Sequence, residues 1–362
     1  MLARCYALVL WALAGLASAQ GFTPQEAMRV PREGHTATRL RDGLLMVAGG
    51  TGSGGQAIKD VEIYDPQTGH WATSESMNTA RAHHTATLLA DGRVLVAGGI
   101  DGGQYLDSVE IFDPQANTWF STPSLPAVRR SHHQATLLPD KRVLVCGGIG
   151  FPVGEDLEDT ITFDSCVAYD PRSDAWSPVA SMRSGRQMHT QTLLANGLVL
   201  AVAGLSDGGG NNSAELYDAK ADRWLIAGEL SGVRWSHTAS LMPDGTVFVV
   251  GGFDASKVLA STEFFDPATR RWRAGPAMAN GRQLHAASLL PGGALLASGG
   301  IGNAAGSAEV YEPAQQRWVA AGGLQAPRSK HSATLLVDGR VLLVGGINEV
   351  ETLSGAEAFR RR

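Results

Sequence analysis

The sequence predicts an all-β protein, a seven-bladed β-propeller of four-stranded antiparallel blades, and three observations predict it. An Arg-x-x-His motif returns seven times, at Arg32, Arg81, Arg130, Arg186, Arg234, Arg282 and Arg328, in steps of 46 to 56 residues. Each copy leads into the same order of signals, as in "RAHHTATLLADGRVLVAGG" from Arg81: an apolar run, a turn, a second apolar run and a small-Gly or Gly-Gly end. No helical periodicity survives beyond the first nineteen residues. Self-similarity at this period, with four short strand-like runs per copy, is the pattern of a propeller.

Within a unit each element has a local cause. Asp-Gly or Asn-Gly pairs such as Asp91-Gly92 and Asn196-Gly197 separate the first two runs. They favour two-residue hairpins, because positive φ is cheap there. The second run closes on Gly49-Gly50, Gly98-Gly99, Gly147-Gly148, Ala203-Gly204, Gly251-Gly252, Gly299-Gly300 and Gly345-Gly346. The third run reads "VEIYD", "VEIFD", "CVAYD", "AELYD", "TEFFD", "AEVYE" and "AEAF", and an Asp-Pro step often ends it. A Trp follows in six units: Trp71, Trp119, Trp176, Trp224, Trp272 and Trp318. Each lies 10 or 11 residues before the next Arg, and Phe22 lies 10 before Arg32. Phe22 therefore holds the missing Trp position, and residues 21–28 are expected to form the strand that completes the last blade and closes the ring. One domain over residues 20–362 follows.

The Gly pairs, the Glu-x-Tyr/Phe-Asp run and the spaced Trp resemble the kelch repeat family, and the resemblance covers residues 21–362. It implies four-stranded blades around an axis, strands A to D running outward. Because A and B form a hairpin, the Arg-x-x-His loops and the B–C loops then share one face.

The first nineteen residues read as a secretory signal: Arg4, a short apolar core and Ala17-Ser18-Ala19 before Gln20. A secreted or periplasmic chain, without membrane insertion, is expected. Losing Arg4 leaves 29 basic against 35 acidic residues, which argues against a nucleic-acid partner. Cys146 and Cys166 remain; they either pair as a disulfide in an oxidising compartment or stand as two small buried thiols. The loop between them, with Glu155, Asp156, Glu158, Asp159 and Asp164, lacks the spacing of an EF-hand.

Six units carry Glu in the third run, and a Glu packed between neighbouring blades needs a partner. A repeated Arg–Glu ion pair is the architectural expectation. The third unit has Val167 there, so Arg130 lacks that carboxylate. A ligand is expected where the loops differ, near the axis: Arg81, Arg130, Arg186, Gln187, Arg234, Trp235, Arg282 and Gln283, with His83 and His132 nearby. An aromatic beside amides and arginines suits a carbohydrate or peptide. The function expected is a monomeric binding module for an unknown protein or carbohydrate partner, with no metal or cofactor and no assignable catalytic residue. The alternative is a carbohydrate-active enzyme. Periplasmic sialic-acid mutarotases are similar signal-bearing propellers. Copper-radical oxidases of the galactose oxidase type are similar too, but need Tyr and His ligands, whereas Tyr64, Tyr169, Tyr217 and Tyr311 are repeat positions.

Overall fold

The computed structural model describes residues 21–154 and 159–361. The expected signal segment and Glu155, Asp156 and Glu158 lie outside them. Among the described residues there is no helix, and seven sheets have four strands each. All pair antiparallel, and in six of the seven the strands lie in the order in which the chain visits them. Units 1 to 7 denote them in chain order. Unit 2 is typical: Thr85–Leu88, Val94–Ala97, Val109–Asp113 and Thr118–Thr122. Unit 7 has Ser332–Leu335, Val341–Val344 and Ala356–Arg360 from the end of the chain, and takes its fourth strand, Gly21–Gln25, from the beginning. Phe22 stands opposite Phe359 there, ring centroids 5.2 Å apart. Tyr64 and Trp71 make the equivalent contact in unit 1 at 5.1 Å. The strand is shorter than the 21–28 expected from sequence.

The second strands, such as Val94–Ala97 and Val143–Cys146, are buried at every residue. That explains their unbroken apolar runs: both sheet faces meet a neighbour. The core is accordingly divided into layers between consecutive units. Met46, Val94, Val96 and Phe112 fill the layer between units 1 and 2. Leu45, Val47, Leu342 and Val344 fill the one between units 7 and 1. Each Trp then fastens its unit to the one before. Trp119 Nε1 donates to the Glu75 carbonyl at 2.8 Å, and Trp71 Nε1 to that of Glu26 at 2.8 Å.

The Gly pairs are set by close approach. Gly99 has φ of 105°, and a Cβ on it would sit 2.8 Å from the Ala82 carbonyl oxygen and 2.9 Å from His84 Cβ. Gly98, at φ 60°, lies in the left-handed region that an L-residue reaches at a cost, and Ala203 occupies the matching place in unit 4 at φ 55°. A Cβ on Gly98 would also sit 2.6 Å from the Arg130 carbonyl oxygen, so Gly98→Ala and Gly99→Ala are each expected to lower stability by about 2 kcal/mol or more. Urea midpoints of the two variants check this.

In unit 3 the Cys146 and Cys166 sulfurs are bonded, on residues directly opposite each other in the ladder. Here the segment before the first strand also departs from the repeat. Val128–Ser131 pairs with Ile149–Pro152 in an additional three-stranded sheet with Ile161–Thr162.

Candidate ligand-binding site

The arginines of the motif are consumed by the fold. Arg32, Arg81, Arg186, Arg234, Arg282 and Arg328 each meet the third-strand Glu of their own unit at 2.6 to 3.0 Å. In unit 2, Arg81 Nη2 donates to Glu110 Oε1 at 2.7 Å, and Nη1 donates to the carbonyls of Gly98 and Ser108. The Glu110 carboxylate accepts the amides of Asn78 and Thr79 as well. Arg81 thus ties the segment entering the unit to both ends of the loop between the second and third strands. The sequence-based placement of Arg81, Arg130, Arg186, Arg234 and Arg282 at the ligand is corrected on this point: all are at most 1% exposed. Buried this way, with Nη1 and Nη2 spent on carbonyls, serine hydroxyls or a carboxylate, these guanidiniums are closed off from a mouth, although Nε of Arg81, Arg130, Arg186, Arg234 and Arg282 has no partner. Arg130 is buried too. Its Nη2 bonds Ser165 Oγ at 2.9 Å, the Phe163 ring lies 5.2 Å from its guanidinium carbon, and burial pushes its pKa down to about 9.

The second residue between Arg and His has a different task. Gly34, His83, His132, Met188, Ser236, Leu284 and Lys330 all have φ between 50° and 62°. Each amide donates to the carbonyl of the equivalent residue in the preceding unit, His83 to Gly34, His132 to His83, and onward to Lys330. Gly34 donates to Lys330 at 3.2 Å, so the bonds run in a cycle. The left-handed conformation aims each amide along this cycle.

Inside the cycle lies an axial cavity of about 760 Å³. Its wall is the seven motif histidines, and its rim carries Trp235, Gln283, His83, His132, Met188 and Lys330. Trp235 stands edge-on to Phe253 at 5.3 Å. His83 and His132 stack at 4.3 Å. Lys330 Nζ lies 3.1 Å from the Glu33 carboxylate, so the rim's ammonium is already paired. Burial pushes His35, His133, His237 and the rim's His132 down to about 3, with the adjacent arginines adding to it at the first three. These imidazoles are neutral at physiological pH. Of the residues expected at the ligand, Trp235, Gln283, His83 and His132 meet at the cavity. Gln187 does not line it; its backbone bridges to Leu205. Sequence reasoning passed over Lys330, Met188 and Gln134. The signal was the unit-by-unit variation just before and just after each His.

A second groove, of about 710 Å³, runs between the loops of units 6 and 7, lined among others by Ile301, Pro327, Ile347 and Val350. Among the described residues no group of three or more His, Cys, Asp or Glu has metal-binding geometry.

Residues 17–204 match the family model of the KLHDC2/KLHL20/DRC7 Kelch-repeats domain, and residues 234–279 match the Kelch motif. The chain belongs to the kelch-repeat family. Among solved structures it is similar to a novel fungal alcohol oxidase of the AA5 family in complex with copper, with a TM-score of 0.75 and 17% identity over 94% of this chain and 76% of that one. It is also similar to YjhT, with a TM-score of 0.61 and 14% identity over 77% of this chain and 95% of that one. At these identities the likeness is one of fold. No curated protein matches the chain. For a kelch repeat, the division of labour is plain: Arg, Glu and the Gly pair are scaffold, and the rim residues are the free variables.

Proposed function

We propose that the protein is an exported, monomeric, seven-bladed kelch propeller that acts as a binding module, its ligand held at the axial mouth on the Arg-x-x-His face. The seven four-stranded sheets, the pairing of Gly21–Gln25 with Ala356–Arg360 and the hydrogen-bond cycle support a closed ring of seven blades. The signal-like first nineteen residues support export. The observation that carries the binding reading is the contrast within one cavity. A repeated wall is surmounted by a rim that varies around the ring and includes a Trp, an amide, an ammonium and two stacked imidazoles. Concave sites with apolar and aromatic lining and a few placed polar groups are the usual ligand sites of proteins.

The competing reading is a sugar mutarotase or epimerase. His83 beside the Glu33–Lys330 pair would be its acid–base group, since Glu33 opposes the lowering of the His83 pKa that burial produces. Trp235→Ala is expected to lower ligand affinity at least tenfold with little change in melting temperature. Binding of sugars, peptides and native extracts to the two proteins checks this. Equal binding would reject the axial mouth. Turnover lost in His83→Gln at undiminished affinity would favour the enzyme.

A further inference from the structure

Around the axis the residue following each motif His is Thr36, Thr85, Gln134, Thr190, Thr238, Ala286 and Ser332. Where it is a hydroxyl, it hydrogen-bonds the Nε2 of the next unit's histidine. Thr36 meets His84, Thr85 meets His133, Thr190 meets His237 and Thr238 meets His285, each at 3.0 Å. Ser332 meets His35 at 3.0 Å across the junction of units 7 and 1. Two units depart from the rule. At Ala286 the loss is made good from the second strand, where Ser298 reaches His331 at 3.2 Å. At Gln134 nothing replaces the hydroxyl. His189 is 1% exposed, lines the cavity and has no partner on either ring nitrogen.

A buried imidazole without a partner is costly, and natural folds seldom leave one unanswered. The other six also leave Nδ1 without a partner, so His189 stands apart at Nε2 alone, where each of the six has a hydroxyl beside it. We propose that His189 is the polar reading group of the axial cavity, and that the ligand is a small, neutral, polyhydroxylated compound, one hydroxyl of which takes the place of the missing Thr. This rests on the reading of the axial mouth as a binding site. Neutrality follows from the rim, where Lys330 is already bonded to Glu33 and has no free charge to offer an anion. The C–H face of such a compound suits Trp235, and its remaining hydroxyls suit the Gln283 amide, which also lines the cavity. Burial holds His189 well below its ordinary pKa, so it offers one donor and one acceptor, as a hydroxyl does.

The test is Gln134→Thr, which gives unit 3 the residue found in units 1, 2, 4 and 5 and supplies His189 from within the protein. Wild type, Gln134→Thr and Trp235→Ala are titrated calorimetrically with glucose, galactose, mannose and myo-inositol, with galacturonate as the charged comparison. Imidazole nitrogens are followed by long-range proton–nitrogen NMR. The expected result is that a neutral compound binds wild type and moves the His189 resonances. Gln134→Thr should fold at least as stably and bind at least tenfold more weakly. Wild-type affinity in Gln134→Thr, with binding lost in Trp235→Ala, would overturn the role of His189 while leaving the axial mouth intact. Unchanged affinity in both variants would overturn both. Binding of galacturonate alone, or of no compound in the panel, would overturn the neutral polyhydroxylated class.

Discussion

Acidification from pH 7 to pH 5 is expected to remove a large part of the protein's stability. The axial histidines are the cause. His35, His133 and His237 have folded-state pKa values of about 3, and burial holds His84, His189, His285 and His331 well below the ordinary value too. An unfolded chain protonates its histidines near pH 6.5. Between these values the unfolded state binds protons that the folded state refuses, so stability falls as pH falls. It is fully present above about 6.5 and is lost progressively toward 3. A histidine shifted to about 3 costs about 2 kcal/mol at pH 5. Three of them cost about 6 kcal/mol, against a typical total of about 5–15 kcal/mol. Each imidazole faces its own unit's arginine, and that charge remains in place throughout this pH range. Urea midpoints at pH 7.5, 6.5, 5.5 and 5.0 check the expectation. The midpoint should fall steeply below 6.5, with several protons taken up on unfolding. A flat profile would mean that the ring is hydrated and titrates normally.

The scaffold was legible in the sequence because it is written seven times. A Glu recurring in a run that packs on both sides demands a cation, and Arg81 with Glu110 shows the demand met. Phe22 was legible as the place of a missing Trp because spacing survives where identity does not, and its contact with Phe359 follows. The same repetition concealed the site. Seven arginines near one end invite an anion-binding reading, and nothing in their spacing says that every guanidinium is buried. The informative residues are single departures. Gln134 and Ala286 look alike as losses of Thr. Only the placement of Ser298, twelve residues along on the second strand, shows that one is compensated and the other is not. The pairing of Val128–Ser131 with Ile149–Pro152 was hidden for a similar reason, since it depends on a loop that only unit 3 has.

Glu110→Gln is expected to destabilise the fold by about 2–4 kcal/mol. Glu110 and Arg81 are both at most 2% exposed, so removing one charge strands the other away from water. The amide also offers a donor where the carboxylate accepts two backbone amides, those of Asn78 and Thr79. One oxygen can still serve Arg81, which keeps the loss below the roughly 3–5 kcal/mol of a pair broken outright. Unit 3 shows how such a loss is absorbed. Val167 stands at the Glu position, and Arg130 is covered by the Phe163 ring and Ser165. Unit 2 already has the serine, Ser108, on Arg81 Nη2 at 3.1 Å, but Leu106 makes the backbone bond that Phe163 makes in unit 3. Glu110→Val should therefore cost more alone than with Leu106→Phe, which supplies the aromatic face for the unpaired guanidinium. A double-mutant cycle on urea midpoints measures that coupling. Additive losses would show that unit 3 tolerates its unpaired arginine through its altered entering segment, and an unchanged midpoint in Glu110→Gln would reject the buried pair as a source of stability.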